Sequence, residues 1–197
     1  MRIERLTIPD VVLIEPRVFG DERGHFFESW NRRELAQALN EDILFVQDNQ
    51  SRSLRGVLRG LHYQLPPDAQ GKLVRVSSGV IFDVAVDLRR GSAHFGRWVG
   101  THLDADRHRQ LWVPAGFAHG FLVLSESAVV QYKTTTAYAP ASERALRWDD
   151  PAVAIAWPLD GLAPVLSAKD QAAVSWEAAP KFETPVTHGN TSSPGQS

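Results

Sequence analysis

The chain has 197 residues, a formal charge of −2 at pH 7 and no cysteine. That length suits one well-filled core, and the lack of cysteine excludes disulfides, thiolate nucleophiles and Cys-ligated zinc. A near-neutral charge provides no basic field for nucleic acid or anionic lipid, so an anionic ligand needs a local cluster of Arg and Lys. The opening "MRIERLTIPD" carries charges and no apolar stretch of the signal-peptide kind. No apolar run approaches the ~18 residues of a spanning helix. The expectation is a cytoplasmic protein with neither membrane nor nucleic acid as partner.

Strand signals dominate the chain. In order they fall at 11–18, 43–49, 56–64, 72–78, 80–88, 97–103, 109–113, 119–124 and 128–136. Turn signals such as "FGDERG", "LPPDAQG", "RRGSAHFG" and "VPAGF" separate them. The clearest run is "VIFDVAVDL". Val80, Phe82, Val84, Val86 and Leu88 share one face, and Ile81, Asp83, Ala85 and Asp87 the other. One helix is expected after Asn31, with Glu34 completing a capping box and Leu35 and Leu39 on one face. Past residue 140 the pattern weakens. "DDPAVAIAWP" reads as irregular, and "SAKDQAAVSW" as a short helix begun by Ser167. From Lys181 the chain turns polar and rich in Pro, Gly, Ser and Thr, so residues 1–180 are read as one domain and 181–197 as a disordered tail. Short strands at this spacing predict an all-β sandwich or barrel with a few short helices.

Among residues able to carry chemistry, His62 comes first. A lone histidine in a strand is more often a hydrogen-bonded core residue than a functional one. A strand-borne metal pair would read His-x-His, and position 64 is Gln64. His119 in "PAGFAHGF" is a possible second ligand, but without nearby carboxylates the set is poor for a transition metal. A general base instead needs an orienting acid, an acid on the opposite face and a cation for developing charge. Lys72, Tyr132 and Asp170 are candidates for those parts, although lysine is usually exposed, tyrosine often fills cores, and aspartate near a helix start is often a cap.

A second signal is polarity where alternation predicts an interior. Gln47 and Asn49 share a face with Phe45, Arg59 lies beside His62, and Arg23 and Glu28 sit among aromatics. Buried groups of this kind are costly unless paired or in contact with a ligand, and an Arg fork suits phosphate. One by one, surface salt bridging is the favoured account of each.

The ordered segments "FGDERGHFFESW", "FVQDNQSRS", "GVLRGLHYQ", "QGKLVRV", "FDVAVDLR", "FGRWVG", "QLWVPAGFAHGF", "YKTT" and "SAKD" resemble the dTDP-4-dehydrorhamnose 3,5-epimerase family over roughly residues 3–176. "GVLRGLHYQ" followed by "QGKLVRV" is the most specific part. The resemblance implies a cupin-like double-stranded β-helix (a jelly-roll barrel), a homodimer, and no metal or cofactor. It implies inversion of C3 and C5 of dTDP-4-keto-6-deoxy-glucose to give dTDP-4-keto-rhamnose, in dTDP-rhamnose biosynthesis. By matching segment, His62 is the base, Asp170 its dyad partner, Lys72 the group at the 4-keto oxygen and Tyr132 the acid on the other face. Gln47, Asp48, Asn49, Arg59, Lys72, His119, Tyr138, Glu143 and Lys169 match substrate contacts, with Tyr138 at the nucleotide end. Arg59, Arg23 and Lys169 are then read as buried cations for the diphosphate. Phe19, Arg23 and Glu28 match positions that reach into a partner subunit's site. Three alternatives stay open: a single-position epimerase, a metal-dependent cupin and a carbohydrate-binding module on the same barrel.

Overall fold

The structure, a computed structural model, describes residues 1–183. Its strands are β1 (Arg2–Arg5), β2 (Val12–Glu15), β3 (Val18–Asp21), β4 (Gly24–Phe27), β5 (Gln47–Leu54), β6 (Leu58–Gln64) and β7 (Lys72–Ser78). They continue as β8 (Val80–Asp87), β9 (Trp98–Asp104), β10 (Gln110–Val113), β11 (Phe117–Val123), β12 (Ser127–Thr134) and β13 (Glu143–Ala145). Helix α1 spans Arg32–Leu39 and α2 spans Ala168–Gln171. A six-stranded sheet runs β1-β2-β10-β7-β12-β5 and a five-stranded sheet β13-β6-β11-β8-β9. Every ladder in the two sheets is antiparallel.

Strand β8 shows how the molecule is filled. Ile81 and Ala85 join a cluster that also draws Val74 and Val76 from β7, Leu111 and Val113 from β10, and Val130 from β12. That cluster lies between the sheets, so the face bearing Asp83 points inward. The opposite face, Phe82, Val84, Val86 and Leu88, packs under Leu146, Val153, Trp157 and Phe182. The irregular segment after β13 is thus the outer cover of the five-stranded sheet. The six-stranded sheet is covered by α1, where Leu35 and Ile43 meet Val12, Ile14, Leu73 and Trp112. Each fully buried aliphatic side chain contributes about 1.5–3 kcal/mol against exposure. Two facing antiparallel sheets with covered backs form the cupin-like jelly roll that strand spacing and resemblance predict.

Helix α1 forms as expected. The Asn31 side chain accepts from Glu34 N at 3.2 Å, and Asn40 ends the helix in the left-handed region at φ 57°. Several boundaries differ. The run 11–18 splits at Pro16, which lacks an N–H, and β3 turns away to pair with β4 in a separate hairpin. The run 43–49 becomes a strand only from Gln47, because Ile43 is taken into the α1 cluster. Short polar strands β1 and β13 carry no sequence signal and form through pairing with β2 and β6. Helix α2 has four residues where ten were expected. At the C-terminal end, Phe182 is buried and its N–H donates to Leu88 O, so packing reaches past residue 180. Residues 184–197, the remainder of the expected tail, lie outside the described residues.

Candidate active site

Strand β6 supplies the first site residue. His62 pairs with His119 on β11, while Arg59 pairs with Phe121, so Gly60 and Leu61 together oppose Gly120. Three residues apart on a regular strand, Arg59 and His62 would point to opposite faces. The bulge returns both to the inner face. Gly60 is required there: its φ is +118°, and a Cβ would stand 2.6 Å from Gly120 Cα.

Asp170 on α2 holds the His62 ring. Its Oδ1 lies 2.6 Å from His62 Nε2 and accepts from Gly60 N at 3.3 Å. Its Oδ2 accepts from Ser167 Oγ at 2.7 Å. The N-cap of α2 therefore fixes the carboxylate that fixes the imidazole. Burial favours neutral Asp170, yet the hydrogen bonds from His62 and Ser167 outweigh it and hold its pKa below the usual carboxylate range. Burial pushes the His62 pKa below 6.5; Asp170 opposes this and the nearby Lys72 charge adds to it.

Gln64, two residues on, occupies the place a second ligand would take. It is 3 % exposed and fully employed. Its amide nitrogen donates to Asp68 O and Ala137 O, and its oxygen accepts from Ala139 N, tying two loops together beside the cavity. The segment "LPPDAQG" does not make a hairpin. It carries the chain from the five-stranded sheet to the six-stranded one, where Lys72 opens β7. Lys72 is 8 % exposed, and Nζ donates to His62 O at 3.3 Å. Burial lowers its pKa to about 8, against the pull of Asp83 and Glu143.

Tyr132 on β12 rises from the same sheet as Lys72, opposite Asn49 of β5. Burial raises its pKa above 10. His62, Lys72 and Tyr132 line one cavity of about 350 Å³ together with Asn49, Arg59, His119, Tyr138, Glu143 and Lys169. The Arg59 side chain is oriented through Nε to Ser53 Oγ at 2.9 Å. At the rim, Glu143 accepts from Lys169 Nζ at 2.6 Å and from the Tyr138 hydroxyl at 2.8 Å. Burial opposes the Glu143 charge, but these two donors prevail and lower its pKa. Gln47 stands just behind, donating to Asn49 Oδ1 and accepting from Tyr138 N.

Besides Gln47, four expected contacts are not part of this cavity. Asp48 faces the outer side of its sheet and binds Lys133 Nζ at 2.9 Å. Phe19 and Arg23 line a separate concavity on the β3–β4 hairpin. Glu28 accepts from Asn31 Nδ2 at 3.3 Å. The expectation of buried diphosphate cations also needs correcting: Arg59 is exposed on its strand, the Arg23 side chain is 85 % exposed and paired with Asp21, and that of Lys169 is 49 % exposed. Within one chain the hairpin has no core to bury an arginine.

One group escaped the sequence reading. Asp83 is 0 % exposed, and its Oδ1 lies 2.8 Å from His119 Nε2. The signal was present: a carboxylate on the inward face of an otherwise apolar strand. Among the described residues no group of three or more His, Cys, Asp or Glu is placed to hold a metal ion, and no helix is long and apolar enough to cross a membrane. A half-buried imidazole whose pKa is lowered by burial, and a buried ammonium and a protonated phenol on the other sheet, suit proton abstraction beside a carbonyl.

Known proteins resemble this chain over most of its length. Residues 5–178 match the family described as dTDP-4-dehydrorhamnose 3,5-epimerase. A protein of that name from Pseudomonas aeruginosa is 61% identical over 171 residues, 87% of this chain and 93% of the relative. One from Salmonella typhimurium is 54% identical over 173 residues, 88% of this chain and 94% of the relative. A crystal structure of a dTDP-6-deoxy-D-glucose-3,5-epimerase from Legionella pneumophila, in complex with dTDP-4-keto-L-rhamnose, superposes with a TM-score of 0.90. It is 47% identical, covering 94% of this chain and 99% of its own.

Proposed function

The chain belongs to the dTDP-4-dehydrorhamnose 3,5-epimerase family, and we infer that it inverts C3 and C5 of dTDP-4-keto-6-deoxy-glucose to give dTDP-4-keto-rhamnose. The observation that carries this reading is the placement of His62 on one sheet and of Lys72 and Tyr132 on the other, around one cavity.

The chemistry follows from the substrate. A proton next to the C4 ketone is weakly acidic, and its removal sends the electron pair onto the ketone oxygen as an enolate. His62 takes the proton, and Asp170 fixes the ring tautomer and stabilises the imidazolium. Lys72 faces the growing oxyanion; a donor of this kind is worth about 3–4 kcal/mol. When the enolate collapses, Tyr132 delivers a proton to the opposite face of the same carbon. Solvent then takes the proton from His62 and reprotonates the phenolate, leaving both groups ready for the second carbon. Arg59 and Lys169 serve the diphosphate, and Tyr138, half-exposed at the rim, stacks on the base. His119, Asn49, Gln47 and Glu143 hold the sugar and nucleotide, and Asp48 borders the same β5 segment. Binding energy from the nucleotide positions the sugar for reaction.

The reading includes a homodimer, with Phe19, Arg23 and Glu28 of one subunit completing the site of the other. Support comes from the hairpin, which exposes Phe19 and Phe26 at 50 % and 67 %. A nucleotide-sugar substrate also agrees with a cytoplasmic enzyme.

The test is NMR of dTDP-4-keto-6-deoxy-glucose with the protein in heavy water. Deuterium entering at C3 and C5, with full activity after chelation, is the expected result. Deuterium at one carbon means a single-position epimerase. Binding without exchange means a sugar-binding module.

A further inference from the structure

We propose that Asp83 is the counter-ion that keeps Lys72 charged, while its other oxygen orients His119. This rests on the epimerase reading, in which Lys72 must be an ammonium to hold the enolate.

The argument is an assignment of partners. Three carboxylates act on His62 or Lys72. Asp170 is taken by His62, Ser167 and Gly60. Glu143 is taken by Lys169 and Tyr138. Asp83 gives only Oδ1, to His119; its Oδ2 is buried with no hydrogen-bond partner among the described residues. On the other side, Lys72 has one acceptor among the described residues, the neutral carbonyl of His62. An ammonium 8 % exposed and a carboxylate 0 % exposed thus lie on the two sheets that enclose one interior. Leaving either without the other costs far more than keeping both. Lys72 also shares the cavity with His62 and Arg59 from β6, His119 from β11, Tyr132 from β12, Lys169 from α2 and Glu143 from β13. Of these only Glu143 is an anion, and it is already paired with Lys169.

Asp83 acts on Lys72 as a charge across the interior rather than as a hydrogen-bond partner, and it heads the attractions that oppose the burial of Lys72. Such an arrangement has a use. A directly paired lysine would be held by its carboxylate; one held through space keeps its N–H groups free for the substrate oxygen. Asp83 touches neither reacting carbon, so it is a positioning residue.

Asp83→Asn separates its two roles. The amide oxygen still accepts from His119, but the charge is gone. The readout is kcat/KM against pH, which reports groups of the free enzyme. Loss of a nearby opposite charge moves a pKa by about 1 unit or more. The alkaline limb is therefore expected about one pH unit lower in the variant, and the wild-type advantage grows roughly fivefold between pH 7 and pH 9. An unmoved limb, with activity lowered equally at every pH, overturns the proposal and leaves Asp83 an orienting group only. Asp83→Glu keeps the charge and changes the shape, so its limb is expected to stay near the wild-type position; a lowered limb there also overturns the proposal. If Asp83→Asn does not fold, Asp83→Ser also removes the charge, and the same lowering of its limb is expected; an unmoved limb there overturns the proposal. Failure of the wild type to exchange deuterium would sink the epimerase reading instead, and the two failures are distinct.

Discussion

In the proposed reaction His62 has to be neutral to take a proton, and Lys72 has to be charged to hold an enolate. Their pKa values fit those demands. That of His62 lies below 6.5, so the base is free at neutral pH; that of Lys72 is near 8, so the ammonium persists to just above it. The expected kcat/KM profile of the wild type is a bell, rising as His62 loses its proton below pH 6.5 and falling as Lys72 loses its own near pH 8. Tyr132, with its pKa raised, contributes nothing to that alkaline limb. A profile flat from pH 7 to 9.5 would count against Lys72 as the enolate donor. Replacing His62 by Ala removes the base, and Asp170→Asn upsets its tautomer. Each is expected to lower kcat by about 10²–10⁴-fold while binding of dTDP, measured by calorimetry, changes little. Normal turnover in His62→Ala would exclude it as the base. At this scale the sequence was informative about His62, Lys72, Tyr132 and Asp170 only through their segments. Composition and alternation left each of them equal to a core or surface residue, because burial and partner distance are not properties of one position.

Strand β6 works as an element because it is irregular. Without the extra residue opposite Gly120, Arg59 would point into the outer cluster with Leu58 and Leu61. Gly60→Ala adds a methyl where the φ is +118° and backbone lies 2.6 Å away. Backbone strain alone costs about 1–3 kcal/mol, so urea unfolding should show at least that loss, together with weakened nucleotide binding. Gly91→Ala, with nothing within 4 Å of the added carbon, is the matched control and should change neither. The bulge was not legible beforehand, since "LRGLH" fits a regular strand equally well. The capped helix after Asn31 was legible, because capping is a local hydrogen bond between residues three apart.

The whole molecule places a polar cavity at one end of an apolar interior and leaves an apolar hairpin outside it. Phe26, 67 % exposed on β4, is left uncovered by the described residues of its own chain. Phe26→Glu is expected to turn a dimer into a monomer in sedimentation velocity and to raise KM for the nucleotide sugar, since Arg23 and Glu28 would no longer reach a partner. A wild-type monomer with full activity would remove the shared site. By itself the sequence determined the all-β class, the capped helix and, through its ordered segments, the family. These depend on alternation, turn chemistry and motifs, which are written in neighbouring residues. Only the tertiary structure decided that β6 and β7 belong to different sheets, that Gln64 ties loops, and that Asp83 holds His119. Those facts depend on which strands meet across the barrel, and a strand's own residues say which face is apolar but not which distant face it will meet.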